Sequence, residues 1–247
     1  MARNVYDQAA RYAAKLDPVG FLRWLLRGAS LNFHGWLDAR RLPFPGEADR
    51  ICDTVACLED PAVPGMLWAV PVEFALEPEA DLFGRLLSYL GLLWLEMRPT
   101  QERGSRYNVS AAVINLTGHG HTSRDMSLAG MRTFLQVEER DLAGEDAASI
   151  LAGIASGGVA RCLLSLVPLM QGGAEAGIIQ QWVQLASAEP DARRRGDYAG
   201  LALVFAEAAS CRPVWQQALQ GWNVVQSQQV LEWMAEGEVR GQVRSLL

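Results

Sequence analysis

The chain has 247 residues, of which 50% are hydrophobic and 20% are charged, and its formal net charge is −6. This balance excludes disordered, collagen-like and coiled-coil proteins, and the length is sufficient for a core without disulfide bonds or a structural metal. No apolar run reaches the roughly 18 residues that cross a bilayer, because Arg23 and Arg27 interrupt the first candidate and Arg85 and Glu96 bracket the second.

Location is predicted from the N-terminus and the cysteines. The first residues lack the apolar stretch of a secretory signal, so we expect a cytoplasmic protein with no membrane partner. The four cysteines, Cys52, Cys57, Cys162 and Cys211, form no CxxC pair of the kind that zinc or redox chemistry uses. We therefore expect buried, inert thiols.

The first 28 residues predict helix, in which Asp17 and Pro18 supply a cap and a first-turn proline before Gly28 ends the pattern. Residues 29–49 contain prolines and little periodicity, and they predict a connecting loop.

Two strands are predicted next, over residues 51–58 and 66–74, and the second ends on an acid, Glu73. Pro71 lies inside the second strand. Since proline cannot donate to a strand ladder, it predicts a bulge or an edge-facing position.

Residues 79–97 give the clearest helical pattern, with apolar side chains around most of the circumference. Arg85 and Tyr89 are four residues apart and share a face, where they can contact either a phosphate or an acid that ties the helix to the sheet. Further strands are predicted over residues 109–116 and 133–137. A helix between strands predicts a mixed α/β domain with a crossover helix.

Strand signals stop near residue 145. Helices are predicted over residues 145–155, 159–170, 174–187, 193–209, 212–219 and 224–236. Tryptophans are expected to fill the gaps between them: Trp182, Trp215, Trp222 and Trp233. We therefore expect an α/β domain over residues 1–140 and a helical C-terminal module over residues 141–247.

The candidate chemistry lies in Asp53 and Glu73, two acids in apolar strands, where a carboxylate is costly unless something compensates it. Adjacent strands can bring them together as an oxygen-rich site for Mg²⁺ or Mn²⁺. Acids at a turn or a sheet edge are the alternative. His119 and His121 are interpreted as an exposed glycine turn rather than as metal ligands.

Four segments, together with the helical part, resemble the PD-(D/E)XK nuclease superfamily and, within it, the bacterial Rpn-type, transposase-like group, including its planctomycete-style members. The segments are residues 50–53 (RICD), 72–74 (VEF), 81–89 (DLFGRLLSY) and 109–116 (VSAAVINL). The resemblance covers nearly the whole chain and implies a restriction-endonuclease-like mixed sheet core with flanking helices.

The resemblance implies that Asp53 and Glu73 are the metal ligands and catalytic acids, with Mg²⁺ or Mn²⁺ as cofactor and DNA as partner. Members of the group carry Lys or Gln two residues after the glutamate, whereas this chain has Ala75. A methyl group cannot orient a nucleophilic water. Two functions therefore stay open: a metal-dependent DNA endonuclease, or a nuclease-derived module that binds DNA or a protein partner without turnover. The oligomeric state is open too, with a homo-oligomer as one alternative.

Overall fold

The computed structural model describes residues 5–39, 42 and 54–222. The chain is a mixed α/β protein with two compact units. Among the described residues, the sheet unit takes those within 25–115 and 120–140, and the helical unit takes residues 5–24, 116–119 and 141–222.

Eight strands lie in the described residues: β1 (Asn32–Leu37), β2 (Val55–Glu59), β3 (Leu67–Ala75), β4 (Asn108–Val109), β5 (Ala112–Asn115), β6 (Arg124–Leu128), β7 (Met131–Leu135) and β8 (Glu138–Asp141). Six of them form a mixed sheet in the order β1-β2-β3-β5-β8, with β4 also paired to β3. The first three strands are an antiparallel meander, and β4 and β5 run parallel to β3. The predicted strands over 66–74 and 109–116 are confirmed as β3 and as β4 with β5, while residues 51–53 of the first prediction lie outside the described residues.

Part of the predicted loop over residues 29–49 was wrong, because residues 32–37 form β1. This strand lies at one end of the sheet order, and its register with β2 shifts between Phe33 and Gly35. Gly35 has a φ of 126°, which a residue with a side chain rarely adopts. In a strand with an irregular centre, apolar and polar side chains do not alternate regularly, which explains why β1 was not predicted.

Pro71 lies within an interior strand, where its Cα partner on β2 is Val55. The next residue, Val72, donates its N–H to the carbonyl of Thr54 across the β2–β3 pair (2.9 Å). Because successive strand residues alternate in direction, the nitrogen of Pro71 faces the other neighbour. On that side β4 pairs with β3 as far as Ala69 and β5 pairs only from Val72 onward. The proline therefore lies opposite the gap between β4 and β5. At this position no β3 residue needs to donate an N–H to a neighbouring strand, so proline interrupts no hydrogen bond.

Helix α3 (Leu82–Glu96) confirms the helix predicted over residues 79–97 and connects β3 to β4 and β5. Its buried side chains pack against residues of β2, β3 and β5 in one apolar cluster. The helix contributes Leu82, Leu86, Tyr89, Leu90 and Leu93 to that cluster.

Strands β6 and β7 form a separate two-stranded hairpin. Ala129 and Gly130 at its turn both have positive φ values, 46° and 87°, as a two-residue turn between twisted strands requires. The strand predicted over residues 133–137 overlaps β7 in part. Four large apolar side chains of the hairpin are exposed: Met126, Leu128, Met131 and Phe134.

The N-terminal helix is confirmed as two helices, α1 (Val5–Leu16) and α2 (Pro18–Leu25). The break between them is capped by Asp17, whose carboxylate accepts the N–H of Gly20 (3.0 Å). Four alanines of α1 are buried, and α1 packs against later helices of the helical unit. The structure thus groups residues 5–24 with the later helices, whereas the sequence boundaries of 1–140 and 141–247 assign them to the sheet domain. Small side chains permit this close helix packing.

The remaining helices of the helical unit are α4 (Ala147–Ala155), α5 (Ala176–Ser187), α6 (Ala192–Ala208), α7 (Arg212–Ala218) and a 3₁₀ helix over Arg161–Leu169. Five predicted C-terminal helices are confirmed in position, although the second is a 3₁₀ helix that contains Pro168. The sixth, over residues 224–236, lies outside the described residues.

Tryptophans fill the interior of the helical unit, as predicted. Trp182 and Trp215 are fully buried with ring centroids 5.2 Å apart in an edge-to-face arrangement. Their indole nitrogens donate to the carbonyls of Leu164 (2.7 Å) and Gly173 (3.1 Å). Trp233 lies outside the described residues.

Of the helices that the structure describes, none combines the length and the hydropathy that a membrane crossing needs.

Candidate functional site

Glu73 lies in the C-terminal half of β3, and only 1% of its surface is exposed. Its Cα partner on the parallel strand β5 is Val113, and Ala69 precedes it by four residues on the same face. Val113 and Ala69 both belong to the apolar cluster that contains Tyr89 of α3. The carboxylate of Glu73 is therefore on the side of the sheet that α3 covers, in a setting where a charge needs compensation.

Asp53, the second predicted acid, lies outside the described residues. The nearest described residue on its side is Thr54, whose carbonyl accepts the N–H of Val72. In the sequence Asp53 comes one residue before Thr54, and Glu73 comes one residue after Val72. The meeting of the two carboxylates stays a prediction.

Ala75 and Asn115 end the two parallel strands side by side. They are Cα partners, and 2% and 0% of their surfaces are exposed. Because side chains alternate along each strand, both lie on the same face as Glu73 and Val113. The position at which the resemblance implies Lys or Gln thus holds a buried methyl group with a carboxamide beside it.

Asn115 is tied to Glu139 of β8 in an arrangement that we call the Glu139 clamp, formed by Asn115, Gly120, Thr122 and Glu139. The side-chain N–H of Asn115 donates to Oε1 of Glu139 (2.9 Å). The backbone N–H and the hydroxyl of Thr122 donate to Oε2 (2.8 Å) and Oε1 (2.9 Å) of the same carboxylate. Gly120 passes so close that a Cβ there would overlap both Asn115 and Glu139. Three hydrogen bonds therefore fix the carboxylate and the segment that follows β5.

Sequence reasoning missed the clamp. Asn115 carried a signal, because it is a polar residue at the end of the apolar run over 109–116. Glu139 carried none, since β8 has the sequence EERD and reads as a charged surface segment.

Arg85 and Tyr89 are buried on α3. The guanidinium of Arg85 pairs with Glu79 and lies 3.9 Å from the carboxylate of Asp81. The sequence left open a phosphate or an acid that ties the helix to the sheet. The structure shows Arg85 with two acids, but both directly precede α3 in the chain and belong to no strand.

His119 and His121 flank Gly120 in the sequence. Both are exposed, and the ring of His119 lies 3.4 Å from the carboxylate of Asp141 within the helical unit. Cys57, Cys162 and Cys211 are buried and free, as predicted, and Cys52 lies outside the described residues. Burial raises the pKa of each of these three thiols, which keeps them protonated and unreactive.

The chain matches no family model, no curated protein and no solved structure.

The residues near the ends of β3 and β5 meet some, but not all, of the requirements of a site for a hard divalent cation. Glu73, Asn115 and Glu139 present oxygen donors, which Mg²⁺ and Mn²⁺ prefer, and a cation would compensate the buried carboxylate of Glu73. Across residues 5–39, 42 and 54–222, however, no three His, Cys, Asp or Glu side chains come together as a metal-binding group. An ion at Glu73 therefore requires a further acid, and Asp53 is the one that the sequence offers.

Proposed function

We propose that the protein is a Mg²⁺-dependent DNA endonuclease of the PD-(D/E)XK type, with Asp53 and Glu73 as the metal ligands. The observation that carries this proposal is the buried carboxylate of Glu73 on an interior strand of a mixed sheet. The crossover from β3 through α3 to the parallel strand β5 agrees with the sheet core and flanking helix that the resemblance implies.

The hydrogen bond between Val72 and Thr54 supports the pairing of the two acids. In the sequence, Asp53 directly precedes Thr54 and Glu73 directly follows Val72. Facing residues on neighbouring antiparallel strands have Cβ atoms about 4.5–5.5 Å apart. Carboxylates at that separation can share one ion.

A bound divalent ion would polarise the phosphodiester and lower the pKa of a coordinated water. Glu73 and Asp53 would hold it, and the apolar cluster under α3 would keep bulk water away from Glu73. Residues 51–100 carry eight acidic and two basic side chains, so a cation is also needed to reduce the repulsion of a phosphate backbone.

A second function is favoured by one observation, the buried methyl group of Ala75. Without a polar group at that position, the module would bind DNA or a protein partner and not cleave. The location in the cytoplasm and the oligomeric state stay predictions for either function.

The test is cleavage of supercoiled and linear DNA by the full chain in Mg²⁺ or Mn²⁺. The variants are Asp53→Ala and Glu73→Gln, and the matched control is Glu96→Gln, which neutralises an exposed acid at the end of α3. We expect cleavage by the wild type and the control, and none by the two site variants. Metal-independent binding without cleavage by any of the four proteins would support the binding module instead.

A further inference from the structure

Helix α3 has an uncharged face opposite the side chains that it buries against the sheet. Three large apolar side chains on this face are exposed: Leu87 (41%), Trp94 (46%) and Leu95 (54%). No residue from 86 to 95 is charged. The outward face of a surface helix ordinarily carries charged and polar residues, so an apolar face of this kind indicates contact with another molecule.

Small residues lie between these apolar side chains. Gly84 and Gly91 are exposed, and a Cβ on either would meet no atom within 4 Å. Glycine destabilises a helix interior relative to alanine, and no neighbour in the described chain requires glycine at these two positions. Two glycines with Ser88 between them let a second helix approach to about 8 Å between axes, the near end of the usual range. We call this surface the α3 face, formed by Gly84, Leu87, Ser88, Gly91, Trp94 and Leu95.

The two ends of α3 differ in charge. Residues 77–85 carry three acids and one arginine, whereas residues 96–106 carry two acids and three arginines. At the second end, the guanidinium of Arg106 lies over the ring of Trp94, 5.2 Å from the ring centroid. A partner helix that runs antiparallel to α3 and has the same sequence would therefore set the acidic end of each copy beside the basic end of the other.

The α3 face is also complementary to itself in reverse order. When two copies of α3 lie antiparallel about a two-fold axis at the centre of the face, Ser88 faces the partner's Gly91. The same alignment sets Leu95 over the partner's Gly84, where the missing side chain leaves space for it. The closest approach of the two helices therefore falls between small residues, and the two-fold axis repeats every contact.

We propose that the α3 face binds the same face of a second copy of this chain in an antiparallel two-fold dimer. The alignment places Asp81, whose side chain is 72% exposed, beside the partner's Arg98. Each chain has a net charge of −6, so an uncharged surface with complementary ends is where two copies repel least. A membrane fits less well, because residues 77–106 carry five acids and four arginines, whereas anionic lipid attracts basic segments. The inference does not depend on the proposed nuclease function.

Sedimentation equilibrium of the full chain tests the dimer. The face is about 17 Å long at 1.5 Å per residue, which suits a small reversible interface with a dissociation constant on the order of 10 μM. Leu87→Glu brings two like charges into the contact and should weaken the dimer about 10-fold or more. Leu128→Glu is the matched control, because it makes the same change at a leucine of the hairpin that is 71% exposed. This control should dimerise like the wild type.

Gly91→Leu separates close helix packing from general adhesion between apolar surfaces. The variant adds apolar surface but fills the space at the centre of the α3 face. We expect its dimer to be about 10-fold weaker than that of the wild type, since overpacking a close contact is unfavourable. Stronger association of this variant would show an unspecific apolar surface and overturn the proposal.

Charge reversal tests the antiparallel arrangement. Asp81→Arg and Arg98→Asp should each weaken the homodimer, because each creates two pairs of like charge. A mixture of the two variants restores both attractive pairs and should form a heterodimer more tightly than either variant forms a homodimer. Asp81 also lies 3.9 Å from Arg85 of its own chain, so the melting temperature of each variant is measured too. If Asp81→Arg does not fold, Leu87→Glu and Gly91→Leu still decide the proposal.

The remaining outcomes overturn the inference. A wild type that stays monomeric up to about 300 μM has no such dimer. Slow thiol labelling of Ser88→Cys in that monomer would show that another segment of the same chain covers the face, and flotation with phosphatidylserine vesicles would assign the face to a membrane. A dimer that Leu128→Glu dissociates and Leu87→Glu does not would assign the contact to the hairpin. A mixture of the charge variants that forms no heterodimer would exclude the antiparallel arrangement.

Discussion

Replacing Gly120 by alanine tests the Glu139 clamp directly. The added Cβ would lie 2.9 Å from Cγ of Asn115 and closer still to Asn115 Nδ2 and Glu139 Oε1, whereas ordinary contacts begin near 3.4 Å. The methyl group would therefore force apart the two atoms of the 2.9 Å hydrogen bond.

The magnitude follows from that hydrogen bond. A hydrogen bond to a charged group contributes about 1.5–3 kcal/mol. Alanine also lowers the conformational entropy of the unfolded chain, which stabilises the folded state by about 0.4–1 kcal/mol and offsets part of this loss. We expect Gly120→Ala to destabilise the sheet unit by about 1–2 kcal/mol. Gly91→Ala is the matched control, because a Cβ on this exposed face of α3 meets no atom within 4 Å and should stabilise the helix by about 0.5–1 kcal/mol.

Hydrogen–deuterium exchange of peptides that cover β3 and β5 measures the effect in the sheet unit alone. The free energy of local opening should fall in Gly120→Ala and rise slightly in Gly91→Ala. Equal protection in both variants would refute the clamp, since a methyl group would then fit beside Asn115 without disturbing it.

Three further outcomes are expected. Hydrogen bonds from the first backbone N–H groups of α6 lower the pKa of Asp191 below its usual 3.8, so its contribution is present above about pH 4 and is lost as the pH falls through the lower folded-state value. Asp191→Ala should therefore melt below the wild type at pH 7, by a difference that shrinks as the pH falls below 3.8, and a difference that stays constant in acid would contradict this cap. Trp215→Phe leaves the carbonyl of Gly173 without its indole donor and should cost about 1–3 kcal/mol in denaturant unfolding, against no change if that hydrogen bond is unimportant. Cys162 should react with a thiol reagent only on unfolding, and rapid labelling of the native protein would show that it is accessible.

Sequence patterns predicted the elements whose periodicity reflects burial. The helix α3 and the strand β3 were predicted because their apolar residues follow one continuous buried surface. β1 and β8 were missed because they lie at the two ends of the sheet order, one with an irregular centre at Gly35 and the other with only charged side chains.

The candidate site was predictable only in part for a similar reason. Glu73 stands out in an apolar run, and the structure buries it on an interior strand, while its role as a metal ligand stays a prediction. Ala75 and Asn115 are neighbours because of the register between β3 and β5, although they are 40 residues apart in the sequence. A local sequence pattern cannot predict such a pairing.

The helical unit draws its residues from both ends of the described chain, with the sheet unit between them in sequence. Tyr12 of α1 donates its hydroxyl to the buried Asp197 of α6 (2.9 Å). Asp197 is 185 residues further along the chain than Tyr12, so this partner is synthesised only after the whole sheet unit. Until then the alanines that α1 buries in the helical unit have no helix to pack against, so the helical unit is completed only after the residues of the sheet unit have been synthesised.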